Sequence, residues 1–208
     1  FWDKKTADQW TDKELVRIVS NSAWSQLAPF TAHDGKNYLL RNSRQTTICP
    51  EVDAAMAAKD GRSSQVGDSI NMVLVRWESA LPIRQALLRM GFLGPSPTPE
   101  QIQSFLAPNP KHYVVSVSGL SMKGTSFEPE HLAQMATLRR KDQDPIYAET
   151  SEILTDGEST LLRFRFPRNP PLRLQDKKVE FVLNFPRTSV KKSFDLRKMG
   201  FGEQALAL

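Results

Sequence analysis

The segment VRWESALPIRQALLRMG, Val75 to Gly91, decides how the chain is read. Taken with the preceding Met72 to Leu74, it sets Val73, Val75 and Trp77 on one face of a strand. Met72, Leu74, Arg76 and Glu78 fall on the other. Both faces begin apolar, as expected of an interior strand covered on both sides. Pro82 then suits the first turn of a helix, where its missing N–H has no intrahelical partner to lose. Ile83, Ala86, Leu87 and Met90 supply a buried stripe, and Gly91 is a natural stop. A strand feeding directly into a helix predicts helices laid on a sheet.

The flanks extend this reading. WTDKELVRIVSNS, Trp10 to Ser22, predicts a helix opened by a Thr11–Glu14 capping box, with Leu15, Ile18 and Val19 as its apolar stripe. Trp2, Trp10 and Trp24 crowd the first 24 residues, so this end is expected to pack onto the body. Thr98, Pro99 and Gln101 open a second capped helix, and His112 to Leu120 read as a strand. Pro129 to Lys141 read as a helix that buries Leu132, Met135 and Leu138. After Pro145 the pattern becomes a meander of four strands, with Asp156-Gly157 as a hairpin turn. Leu162, Phe164 and Phe166 alternate on one strand, and Val179, Phe181, Leu183 and Phe185 on another.

The expected fold class is α+β: a mixed sheet with helices packed on it, early strand–helix units, then a C-terminal antiparallel meander. One domain over 1–208 is expected, with a β-rich part over 145–208. Residues 33–69 are expected as a variable, mobile segment. Within it Tyr38 to Leu40 and Thr46 to Cys49 are possible short strands, and Asp53 to Lys59 a short helix.

Composition narrows the function classes. The 208 residues are 39% hydrophobic and 25% charged, ordinary for a folded protein and unlike a disordered one. Arg and Lys exceed Asp and Glu by 28 to 23, a thin surplus without a basic stripe. The densest spots are Arg139 to Lys141 and Val190 to Lys192, each expected to be a solvated face, with nucleic-acid binding through them the weaker alternative. A single cysteine, Cys49, rules out an intramolecular disulfide and any cysteine cluster for a metal. No apolar run reaches the roughly 18–20 residues of a membrane helix.

The motif search is mostly negative. His33, His112 and His131 lack metal-ligand spacing, and Glu130-His131 does not continue as a zinc-protease helix. Neither a nucleophile elbow, a phosphate loop nor a dinucleotide fingerprint is present. No metal and no cofactor is expected. The charges at the strand–helix junction are the exception. Arg76 and Glu78 share a strand face, and Arg84 lies early in the following helix. One reading makes the three a pocket for an anion or carboxylate, since ligands favour the carboxyl ends of strands. The other makes them an Arg–Glu–Arg tie fixing how helix meets strand, because charges set among Val, Leu and Trp need partners. The tie is the favoured reading.

The motifs FWDKK, WTDKE, NSAW, VRWESALPIRQA, YVVSVSGL, FRFPR, DKKVEF and VKKSFDLRKM together resemble a family of uncharacterised bacterial proteins that usually carry secretory signals. The resemblance covers both ends and the centre but not 33–69. It implies that Phe1 follows a removed signal peptide, and hence a secreted or periplasmic protein, with the cytoplasm as the alternative. It implies no reaction. The expectation is therefore a non-catalytic exported domain that binds a protein, peptide or cell-envelope ligand. A hydrolase assembled from distant residues, Glu78 and His112, is the alternative.

Overall fold

In a computed structural model, which describes residues 1–2, 4–32, 72–120, 127–156 and 159–200, the junction forms as the sequence predicts. Strand β2 (Met72–Trp77) runs into helix α2 (Leu81–Arg89), which has Pro82 in its first turn. Gly91, at φ +81°, ends the helix in the left-handed conformation that glycine adopts without cost. Helix α1 (Asp12–Ser20) carries the complete Thr11–Glu14 capping box. Helix α3 (Pro99–Leu106) carries the Thr98–Gln101 box. Trp10 and Trp24 are buried, and Trp2 meets Trp24 edge to face with ring centres 5.6 Å apart.

The fold class differs from expectation. The described residues form a mainly β structure, a nine-stranded sheet in the order β5-β4-β8-β9-β1-β2-β3-β7-β6 that curls into a half-barrel, with only short helices. The other strands are β1 (Ser25–Ala32), β3 (His112–Leu120), β4 (Ala136–Arg140), β5 (Ile146–Tyr147), β6 (Thr150–Asp156), β7 (Ser159–Pro167), β8 (Lys178–Asn184) and β9 (Thr188–Asp195). Every neighbouring pair is antiparallel, so the mixed sheet is corrected too. A single crossover helix after β2 would have given a parallel partner. Instead α2 and α3 together return the chain to the end it left, and Trp77 pairs with Val115 near the start of β3.

Two strands account for most of the difference. Ser25–Ala32 enters the middle of the sheet, pairing with β2 through Pro29 and with β9 from Phe30 onward. Proline, which cannot donate to a ladder, thus sits where β1 changes neighbours. The helix expected over Pro129 to Lys141 stops as α4 (Pro129–Gln134), and Ala136–Arg140 becomes β4 on β8. Leu132 and Leu138 are buried as expected, but from a helix and a strand respectively. Pairing with an apolar neighbour overrides the local helical spacing.

The curl shows in ring contacts between strands that are not neighbours. Phe164 and Phe166 on β7 lie 5.9 and 6.2 Å from Phe181 on β8, although four strands separate β7 from β8 in the sheet. Trp77 on β2 meets Phe194 on β9 at 5.8 Å. Each of these rings is fully buried, and burying one such side chain contributes about 2–3 kcal/mol. The two edge strands are joined by Ala148 and Glu149 alone. Ala148 N–H donates to the Ala136 carbonyl on β4, and Glu149 N–H to the Arg165 carbonyl on β7. The strands and helix expected within 33–69 lie outside the described residues.

Candidate functional site

The register lines up Ser25, Arg76, Ser116, Arg163 and Glu152 as one row across β1, β2, β3, β7 and β6, on the face opposite Val75, Val117 and Leu162. Arg165 stands two residues further along β7 on that same face, and Glu78 follows β2 in the turn before α2. From this row grows a chain of ion pairs. Arg76 lies 3.5 Å from Glu78, and Glu78 accepts from Arg163 Nε at 2.6 Å. Arg163 donates to Glu152 at 3.1 Å, and Arg165 reaches the other Glu152 oxygen at 2.5 Å. Burial disfavours the charged form of Arg163, yet Glu78 and Glu152 outweigh it and raise its pKa. Hydrogen bonding from Arg165 is the main cause of a lowered Glu152 pKa.

Of the three junction residues, the structure brings Arg76 and Glu78 together and turns Arg84 elsewhere. The second cation on Glu78 is Arg163, 85 residues away in sequence. Arg84 is buried and donates through Nη1 to the carbonyls of Phe105, at 3.1 Å, and Ala107. Those carbonyls close α3, where a cation complements the negative end of the helix dipole. Burial lowers the Arg84 pKa, and repulsion from Arg168 adds to it. Arg168 itself lies over the Tyr113 ring, 4.3 Å from its centre.

His112 and Glu78, the pair for hydrolysis, have separate partners: His112 Nε2 lies 2.7 Å from Glu149, not from Glu78. The basic spots are divided in a similar way. Arg140 lies 3.9 Å from Asp176, Arg139 stands opposite Glu180 across the β4–β8 ladder, and Lys192 donates to the Leu27 carbonyl at 2.8 Å. Among the described residues no three His, Cys, Asp or Glu side chains gather as a metal site.

A site that the sequence reading missed lies where β1 begins and β9 ends. Two adjoining hollows, about 290 and 470 Å³, share Ala23, Gln26 and Lys198 as walls. Lys178, Ser193 and Asp195 complete the first, while Trp2, Arg197 and Gly200 lie in the second. Phe194 points into the core, so alternation turns Ser193 and Asp195 outward. Lys178 faces Asp195 across the β8–β9 ladder. The Asp195 carboxylate is nevertheless taken by Arg197, whose Nε and Nη2 donate to it at 2.9 and 2.8 Å. That bidentate pair, opposed by burial and helped by the Arg197 backbone N–H and by Lys198, holds Asp195 at a pKa of about 2. Among the described residues Lys178 and Lys198 have no carboxylate within 4 Å, so the groove carries two positive charges beyond its one acid. The alternation in SVKKSFDL was legible; the meeting of Trp2 with Lys178 and Lys198 was not.

Among the described residues no helix is long and apolar enough to cross a membrane. No family model and no curated protein matches the chain. Among solved structures it is similar to the crystal structure of a novel protein of unknown function from Burkholderia pseudomallei K96243. The two are 14% identical with a TM-score of 0.34, and the match covers 79% of this chain and 93% of that one.

Proposed function

We propose that the chain is a non-catalytic exported binding domain that holds an anionic ligand in the groove beside Trp2, Lys178 and Lys198. One observation carries the reading: the groove's acid, Asp195, is paired with Arg197, while among the described residues Lys178 and Lys198 have no carboxylate within 4 Å. A surplus of like charge in a concave wall focuses the field and draws in the opposite charge. The ion pairs around Glu78 act, in this reading, as the structural tie between β2, β7 and β6. Their carboxylates are spent on guanidiniums, and Arg84 is spent on α3. The hydrolase alternative draws no support from a Glu78 held by Arg76 and Arg163 and a His112 held by Glu149. Export is supported by the resemblance alone, and sequencing the mature N-terminus of a fractionated precursor tests it; an uncleaved cytoplasmic chain would withdraw it.

Titration with a short carboxylate oligomer at low ionic strength, followed by amide NMR shifts, tests the site. Shifts are expected at Ser193, Asp195 and Lys198, with affinity reduced at least tenfold in Lys178→Glu/Lys198→Glu and unchanged in Arg139→Glu/Lys141→Glu. If no polyanion binds under these conditions, the proposal fails, because charge attraction is strongest there.

A further inference from the structure

We infer that the ligand of this groove is an acidic saccharide, a short chain of pyranose rings bearing carboxylates; the inference rests on the anionic-ligand reading above. Trp2 is the first reason. It lines the larger hollow and is only partly buried. Its ring is braced edge to face against Phe1 at 5.1 Å and Trp24 at 5.6 Å. A rigid indole beside an opening offers an apolar platform to the C–H face of a sugar ring, with little side-chain entropy left to lose on binding.

The polar walls are the second reason. Gln26 and Ser193 line the first hollow, and neither side chain makes a hydrogen bond within the described residues. An amide and a hydroxyl, each able to donate and accept, match the hydroxyls of a saccharide better than an acceptor-only phosphate or carboxylate would. Lys178 and Lys198 then serve as point charges for the carboxylates. The volumes fit as well: hollows of about 290 and 470 Å³ fall within or close to the usual range of small-ligand sites, roughly 300–1,000 Å³.

The β1–β9 ladder ends at Phe30–Val190, so Gln26 and Ser193 stand where the two strands part and the hollow opens between them. An acidic peptide added as a strand is the competing occupant, held by backbone and charge without need of the Trp2 ring, and the tetraglutamate comparison separates the two.

Calorimetry on the whole chain at low ionic strength tests the inference with three probes: tetragalacturonate, a neutral hexose tetramer and tetraglutamate. Tetragalacturonate is expected to bind at least tenfold more tightly than tetraglutamate, with the neutral tetramer weaker than tetragalacturonate. Trp2→Ala should cost tetragalacturonate at least tenfold and leave tetraglutamate unchanged. Should Trp2→Ala melt early, Gln26→Ala takes its place, and the three-probe comparison on the unaltered chain decides by itself. Equal affinity for the two acidic tetramers overturns the saccharide assignment and leaves the anion site standing. Binding of neither acidic tetramer overturns both.

Discussion

Nε of Arg163 lies 2.6 Å from Oε2 of Glu78, joining β7 to the end of β2 across 85 residues of chain. Glu78 and Arg163 keep about 12% and 20% of their side-chain surface exposed, so the pair is only weakly screened by water. Replacing Glu78 by Gln leaves two guanidiniums, Arg76 and Arg163, short of their shared acceptor. Loss of one partner from a largely buried pair destabilises by about 2–4 kcal/mol. A lower urea midpoint with unchanged slope is the expected outcome, and Glu78→Met/Arg163→Met should be less destabilised than Glu78→Met alone. A Glu78→Gln variant as stable as the parent would remove the tie.

Arg84 is expected to behave as a helix-end clamp. Arg84→Met keeps most of the buried stem and removes the bonds to Phe105 and Ala107. The loss should be about 1–3 kcal/mol, given hydrogen bonds from a charged donor. Hydrogen exchange should quicken first in α3, and equal protection there would contradict the clamp.

Tyr113 holds the segment that follows β7. Its hydroxyl accepts from the Leu172 backbone N–H at 2.9 Å in a buried setting. Tyr113→Phe strands that donor and should cost about 1–2 kcal/mol in denaturant unfolding. Arg168 both covers this ring and hydrogen-bonds the Tyr113 side chain, so Tyr113→Phe and Arg168→Ala should together cost less than the sum of their separate losses.

Glu14 links α1 to pH. The hydrogen bond from Lys5 is the main cause that holds its carboxyl at about 2, below the ordinary 4.5. A depressed carboxylate stabilises the folded state fully above its unfolded value and loses that contribution as pH falls through the folded one. Melting temperature should therefore drop between about pH 4.5 and pH 2, and Glu14→Gln should flatten part of that drop. Parallel melting curves for the two proteins across this range would refute the assignment.

What the sequence made legible was local. The capping boxes at Thr11 and Thr98 are read within four residues, and they form as expected because their bonds close within one turn. The alternating faces of β2, β7 and β8 were equally readable, since a period of two assigns side chains before any partner is known. Ser25–Ala32 escaped because Gln26 and Pro29 interrupt its apolar pattern, and its strand character comes from β2 and β9, far along the chain. Ala136–Arg140 was concealed by helical spacing that holds only as far as Gln134. Within the site, the nearness of Arg76 and Glu78 was legible because they stand two residues apart where β2 ends. Arg163 could not be named as their partner without the β3–β7 register, nor the groove without the curl that carries Trp2 to Lys198.

The place of β1 in the sheet has a consequence for synthesis. Phe30 finds its partner Val190 only after 160 further positions have been made, so the middle of the sheet waits for its last strand. A nascent chain ending before β9 displays an unpaired edge along β1, the kind of edge that recruits other chains. Folding gated by so distant a contact is slow, and the waiting species is the one a holding chaperone would have to keep apart from its neighbours.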